Sequence, residues 1–381
     1  MKIIIYRSIL VLIALGLGTG IFVLLTFAGD KTKGPLENIF SSVNTNIASF
    51  EKSMTGTREK RSQSLLWFDN YRKNKLFFNS PDSFFVGAYD DQMVESYESV
   101  VALEDSLKIK FPIISFYTAW GSKRQQVFPM LRAQAIYDLG SVPMITWEPW
   151  LDDFDAAHVG NTINAENKNK GGMRAVAQGK YDVYIDKWAA DAAKFQHPFF
   201  LRFGHEMNDP YRYPWGPQNN EPQDYIDAWK HVCSRFSNAG ATNAIWNWSP
   251  HPAYETYPQF YPGHENVDWI GVTALNYGTV ATWSQWWSLE DIIQKSYDSL
   301  SLYKKPMMLT EYGSLSVGGD RALWFQEGLT SLPQKYPAVK SVVFFHTNSD
   351  NTTTYKALDW SFKNDEKTKQ AIISSFRSWV R

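Results

Sequence analysis

The chain has a single cysteine, Cys233, in 381 residues. An intramolecular disulfide is therefore excluded, and no Cys-x-x-Cys or Cys/His cluster has the ligand spacing of a structural zinc site. Neither charge is in surplus, with 38 Lys and Arg against 39 Asp and Glu. Phosphate binding needs basic residues gathered on one face, so nucleic acid is excluded as the main partner. Several enzyme fingerprints are missing too. There is no Gly-x-Ser-x-Gly elbow and no Gly-x-Gly-x-x-Gly after the first strand. His205-Glu206 lacks the second His of a zinc peptidase, because that position is Asp209. Aromatic residues, in contrast, abound: 24 Phe, 20 Tyr and 16 Trp. An indole N–H wants a partner when buried, so part of this tryptophan is expected to face a ligand.

Lys2 and Arg7 precede an uncharged apolar run from Ser8 to Phe27, which at about 1.5 Å per residue reaches across a bilayer. Residues 1–28 are read as an uncleaved signal anchor, or as a signal peptide if Thr26-Phe27-Ala28 is cut. Either reading places the rest of the chain outside the cytoplasm, at the cell envelope or secreted. No cysteine near residue 28 offers a lipid attachment point. Gly16-x-x-x-Gly20 would let two such helices pack, although a monomer is the expected state. Residues 29–80 are polar and mixed in charge and read as a spacer. Within them Leu65, Leu66, Phe68, Tyr71 and Leu76 recur near helical spacing, so Ser64–Phe78 is expected to dock a short helix on the folded domain, 81–381.

From residue 84 short apolar runs recur, each followed by a turn and a helix-like stretch. The expected strands are 84–89, 113–117, 142–147, 199–203, 243–248, 269–275, 306–310 and 340–345. Helices are expected over 123–139, 181–195, 222–237, 288–303 and 320–335. Most strands are continuous apolar runs, as parallel strands buried on both faces should be. Eight of them predict an α/β fold, a single (β/α)8 TIM barrel following the N-terminal helix and spacer. An open doubly wound sheet is the alternative. The longest connection, Leu151 to Lys180, is rich in Asn, Asp and Gly, and its Asn164–Gly172 part is expected to be mobile.

Active sites of such barrels lie at the C-terminal ends of the strands. Here those ends carry carboxylates, imidazoles and indoles. Glu206 follows the fourth strand and Glu311 the seventh, which aims both at one mouth. Two carboxyl groups facing each other are the apparatus of retaining glycoside hydrolysis, one attacking the anomeric carbon and one protonating the leaving oxygen. The acid needs a raised pKa, for which Met207 and Trp215 are suitable desolvating neighbours. Arg202, two positions before Gly204, is expected to point into the barrel.

Leu201-Arg-Phe-Gly-His-Glu-Met-Asn208, continuing through Tyr213-Pro-Trp-Gly216, resembles the acid/base segment of glycoside hydrolase family 26, which holds β-mannanases, mixed-linkage β-glucanases and β-1,3-xylanases. Leu309-Thr-Glu-Tyr-Gly313 is similar to its nucleophile segment and Leu275-Asn-Tyr-Gly278 to its sixth-strand segment. The resemblance covers about residues 84 to 360 and implies Glu206 as general acid/base and Glu311 as nucleophile. It further implies Tyr277 as the hydrogen-bond donor that orients Glu311, His205 and Asn208 as residues positioning the acid and the sugar, and Trp215 as a subsite floor.

Trp147-Glu-Pro-Trp150 departs from the mannanase pattern and looks closer to the glucanase-like branch. Glu148 is expected to bind sugar hydroxyls and Trp150 to stack on a sugar further out; Glu148 as a cap of the following segment is the plainer alternative. Trp147, Trp120 and His346 also lie at strand ends and are expected to contact substrate. The expectation is thus an endo-acting retaining β-glycanase with no metal or organic cofactor. Its polysaccharide would be neutral and held at the cell's own envelope, with a β-1,3-1,4- or β-1,4-glucan favoured. A β-1,4-mannanase is the alternative within the family, and a tethered, non-catalytic glycan-binding barrel the alternative outside it.

Overall fold

The computed structural model describes residues 59–91, 97–155, 167–351 and 357–379. The apolar runs form eight parallel strands: β1 (Phe85–Asp90), β2 (Ile113–Ala119), β3 (Val142–Glu148), β4 (Phe199–Phe203), β5 (Ala244–Trp248), β6 (Trp269–Asn276), β7 (Met307–Ser314) and β8 (Val339–His346). Each pairs with its sequence neighbours, and β1 also pairs with β8, Phe85 opposite Ser341 through Asp90 opposite His346, which closes the barrel. Crossover helices α1 (Glu98–Leu107), α2 (Met130–Asp138), α3 (Asp182–Phe195), α4 (Pro222–Asn238), α5 (Leu289–Leu300) and α6 (Arg321–Lys335) follow the strands, and α7 (Glu366–Ser378) follows β8. Local chemistry starts several of them. Glu221 and Asp224 form a capping box with Pro222 in the first turn of α4, and Ser288 and Asp291 form one on α5. Between β5 and β6 the chain makes the short helix Tyr257–Phe260 and a 3-10 turn, His264–Asn266.

The main apolar cluster fills the space between strands and helices, whereas a second closes the barrel's N-terminal end. That second cluster joins Phe85, Ile113, Phe200, Ile245, Trp269 and Met308 from the strands to Phe68, Tyr71 and Phe78. Residues 61–79, expected to be spacer with a docked helix, are thus a base plug. Trp269 Nε1 donates to Phe78 O at 2.9 Å and Lys75 Nζ to Ala244 O at 3.0 Å. Arg61 donates to both Glu104 oxygens, at 3.0 and 2.9 Å, and to Ser141 Oγ. The barrel body therefore begins ahead of the expected boundary at residue 81, because apolar side chains upstream of it complete the core.

The expected anchor, residues 1–28, its Gly16 and Gly20, and the first part of the spacer lie outside the described residues. Among the described residues no helix is long and apolar enough to cross a membrane. Residues 156–166 of the long β3–α3 connection also lie outside them. Its following arm is pinned: Gly171 N donates to Asn219 O at 2.7 Å, Met173 N to Asn220 Oδ1 at 2.8 Å, and Arg174 pairs with Asp224 of α4 at 2.9 Å.

Candidate active site

After β4 the backbone turns sharply, Gly204 at φ +48° and Glu206 at φ +54°. A left-handed conformation is costly for a residue with a Cβ, and such strain concentrates at functional positions. Here Glu206 N–H donates to Ser249 O at 2.7 Å, which ties the turn to the end of β5. The Glu206 side chain is 1% exposed, and its Oε1 accepts from Thr273 Oγ1 of β6 at 2.6 Å.

Glu311 reaches the same mouth by a different device. Strict alternation along β7 would turn Glu311 outward, since Met308 faces the barrel interior and Leu309 the helices. The pairing of β7 with β8 shifts register between Leu309 and Tyr312. This irregularity behaves as a bulge that re-aims one side chain. Glu311 consequently points inward, while Tyr312 packs outward against Trp324 and Phe325. Its Oε1 accepts from Arg202 Nη1 at 2.6 Å and from Tyr117 Oη at 2.8 Å. Arg202 is fully buried, and its Nη2 donates to Thr273 Oγ1 at 3.3 Å. One hydrogen-bonded path thus runs Glu206, Thr273, Arg202, Glu311.

The expected donor to Glu311 was Tyr277. In the structure Tyr117 fills that place, and the Tyr277 ring instead packs edge-on against Trp283 and Trp360, centroids 5.8 and 4.9 Å away. Both tyrosines lie at the mouth, and only the three-dimensional course of β2 brings Tyr117 onto the carboxylate.

Charge is unevenly distributed between the glutamates. Burial works against the Arg202 guanidinium, yet Glu311, Tyr117 and Glu206 around it hold its pKa above the ordinary arginine value. Burial pushes Glu206 up as expected, but the charges of His251, Arg212 and Arg202 and the Thr273 hydrogen bond outweigh it and hold the carboxyl below its usual value. The raised pKa expected of the acid is therefore not found: Met207 and Trp215 are indeed buried, but Arg212 Nη1 stands 3.7 Å from Glu206 Oε2. The carboxyl that is raised is Glu148, pushed by burial to about 7 although Trp150 Nε1 donates to it at 3.2 Å. His205, 1% exposed and beside Arg202 and Arg212, falls well below the ordinary imidazole value and is neutral. Its Nε2 bonds Tyr213 Oη at 3.0 Å, which buttresses the turn that carries Glu206.

Several expected sugar contacts are occupied within the protein. Asn208 donates to the carbonyls of His251 and Tyr254 at 3.0 and 2.8 Å and accepts His251 N–H at 2.7 Å, so its amide clasps the β5 loop rather than offering itself to a hydroxyl. Trp215 is 1% exposed, donates to His205 O at 2.7 Å and stacks on Tyr213, so it offers no open floor. Trp120 and Trp147 are fully buried, their centroids 4.6 Å apart, and serve the core between β3 and α3. His346 turns away from the mouth: its Nδ1 contacts Asp90 Oδ2 at 2.9 Å and its Nε2 Ser361 Oγ at 3.2 Å, facing a small cavity beside α1. Glu148 and Trp150 remain partly accessible beside Arg212 and Glu311, as expected of residues at the mouth. Tyr117, Thr273 and Arg212 were not singled out by the sequence. Nothing in their local pattern distinguishes them from other strand and loop residues.

Glu206, Asp209 and His251 place potential ligand atoms within 4.8 Å of one another. The set fits a cation poorly. His251 Nδ1 is turned to the backbone, 3.2 Å from Ala253 N. The Arg212 guanidinium beside Glu206 opposes a second positive charge.

The family described as Glycosyl hydrolase family 26 matches residues 161–305. Endoglucanase H of Acetivibrio thermocellus is 31% identical over 271 residues, 69% of this chain and 27% of that protein. Mannan endo-1,4-beta-mannosidase of Bacillus subtilis is 24% identical over 224 residues, 55% of this chain and 57% of that one. The chain thus spans well under two thirds of either relative. Among solved structures, a GH26 β-mannanase from Bacteroides ovatus superposes with a TM-score of 0.55 at 17% identity, covering 84% of this chain and 93% of that one, which shows a shared fold.

Proposed function

We proceed from the chain's membership of glycoside hydrolase family 26 and propose that it hydrolyses a neutral β-linked polysaccharide, internally and with retention, by double displacement. The observation that carries this reading is the path Glu206, Thr273, Arg202, Glu311, which sets two carboxylates in one mouth with unequal partners. Glu311, held by Arg202 and Tyr117, attacks the anomeric carbon. Glu206 gives its proton to the leaving oxygen, then takes one from the water that releases the sugar. Because the charges around it and the Thr273 hydrogen bond hold Glu206 low, its proton is most readily available at acidic pH. His205 and Tyr213 act through the backbone turn and position Glu206.

A β-1,3-1,4- or β-1,4-glucan is the favoured substrate. The likeness to an endoglucanase supports it, as does the Trp147-Glu-Pro-Trp150 segment, whose Glu148 and Trp150 are partly accessible at the mouth. The similarity to a mannosidase keeps β-1,4-mannan as the second reading. If residues 8–27 anchor the chain, the substrate is a polysaccharide of the cell's own envelope.

Two experiments test this. Products from lichenan, glucomannan, galactomannan and β-1,3-xylan identify the glycan, and binding without cleavage of any would point to a glycan-binding barrel. Glu206→Gln and Glu311→Gln are each expected to lose nearly all activity. Azide should rescue Glu311→Ala as an inverted glycosyl azide and Glu206→Ala as a retained one. Full activity in either Gln variant would overturn the mechanism.

A further inference from the structure

The mouth carries a feature that neither carboxylate uses. Tyr211, five residues past Glu206, holds its ring 82% exposed. It is nonetheless held in place, because its N–H donates to Asp209 Oδ1 at 2.8 Å and its ring centroid lies 6.2 Å from that of Tyr254. The Tyr254 ring in turn lies 4.9 Å from His251. The loops carrying the two tyrosines come from different strands. The Asn208 amide bonds both His251 and Tyr254 backbone and so joins them into one surface.

This surface adjoins Glu206, the residue assigned to the leaving oxygen. Glu206 protonates the leaving oxygen, so the departing chain must pass Glu206 on the side away from Glu311. Arg202 and Thr273 occupy the space towards Glu311. Asp209 and His251 bring side-chain atoms within 4.8 Å of the Glu206 carboxylate, and Tyr254 lies within reach of the Glu206 and Asp209 charges. Arg212 lies over the Tyr213 ring at 4.9 Å and borders the same ground. Trp215, expected to floor a subsite, is buried against Tyr213 and leaves that role open.

We propose that Tyr211 and Tyr254 form the platform for the leaving chain: a neutral β-linked pyranose lays its C–H face on these rings while Arg212 donates to its hydroxyls. A tyrosine ring suits this, since its face is apolar and its edge keeps a polar tip for water. The inference rests on the retaining-glycanase reading above and adds a subsite to it.

The test compares two substrates that share a glycone. One is the polymer the parent enzyme cleaves best; the other is the corresponding 4-nitrophenyl β-glycoside, whose leaving group is not a sugar. Tyr211→Ala is expected to lower kcat/KM on the polymer about three- to tenfold, and the double Tyr211→Ala, Tyr254→Ala variant further, as the loss of one or two aromatic contacts implies. Hydrolysis of the aryl glycoside should be unchanged in both variants, which also shows that they fold. Equal losses on the two substrates, or no loss on the polymer, overturn the platform and leave the retaining mechanism standing. A parent protein inert on every glycan and aryl glycoside overturns that mechanism, and the platform with it.

Discussion

Arg202 donates directly to Glu311, whereas Arg212 stays 3.7 Å from Glu206 Oε2 and acts through its field. Removing the Arg212 charge, as in Arg212→Met, takes away one of the influences that lower Glu206. The carboxyl then rises and keeps its proton to higher pH. The alkaline limb of kcat/KM is expected to move up by about one pH unit, the size of shift that a neighbouring opposite charge commonly causes; a limb that stays in place would show that Arg212 does not govern the acid. Tyr117→Phe removes a hydrogen bond to a carboxylate, an interaction worth about 1.5–3 kcal/mol, and should slow kcat roughly ten- to a hundredfold. Tyr277→Phe should change it little, and the reverse ranking would restore Tyr277 as the orienting residue. Both glutamates were legible in the sequence because each ends an apolar run with a charge. Tyr117 was not, because which strand residues touch across a barrel depends on register. The tryptophans misled for a related reason: Trp120 and Trp147 stand at strand ends in the sequence and Trp215 in the segment resembling an acid/base region, yet all three are buried.

At the level of elements, the strands were readable from their continuous apolar runs and most helices as the helix-like stretches that follow them. The helices α1 and α7 were not identified, and β7 runs four residues past its expected end at Thr310. That difference matters, since the register shift near Thr310 decides which way Glu311 faces, and no local pattern announces it. The β4 and β5 loops depend on Asn208. Asn208→Ala deletes three hydrogen bonds and leaves the His251 and Tyr254 carbonyls to find other donors. A loss of about 1–3 kcal/mol is expected, seen as a lower Tm, together with a higher KM on polymer as the two loops lose their common clasp. An unchanged Tm and KM would mean that the loops hold themselves.

At the scale of the molecule, the barrel is finished from outside its own repeat. Phe68, Tyr71 and Phe78 cover Phe85, Phe200 and Trp269 at the N-terminal end. Deleting one buried Phe costs about 3–5 kcal/mol, and a domain's whole margin is about 5–15 kcal/mol. A chain beginning at residue 81 is therefore expected to be insoluble or to melt far below one beginning at residue 59, compared by soluble yield and thermal unfolding. Equal stability would show that the plug is dispensable. The closed base has a practical consequence as well. Arg61 sits there on Ser141, at the foot of β3, so the polypeptide enters the barrel at the pole that never meets substrate. A resin or fusion partner joined directly at residue 59 is joined at that pole and leaves the mouth clear, whereas attachment through the β4 or β5 loops would crowd it.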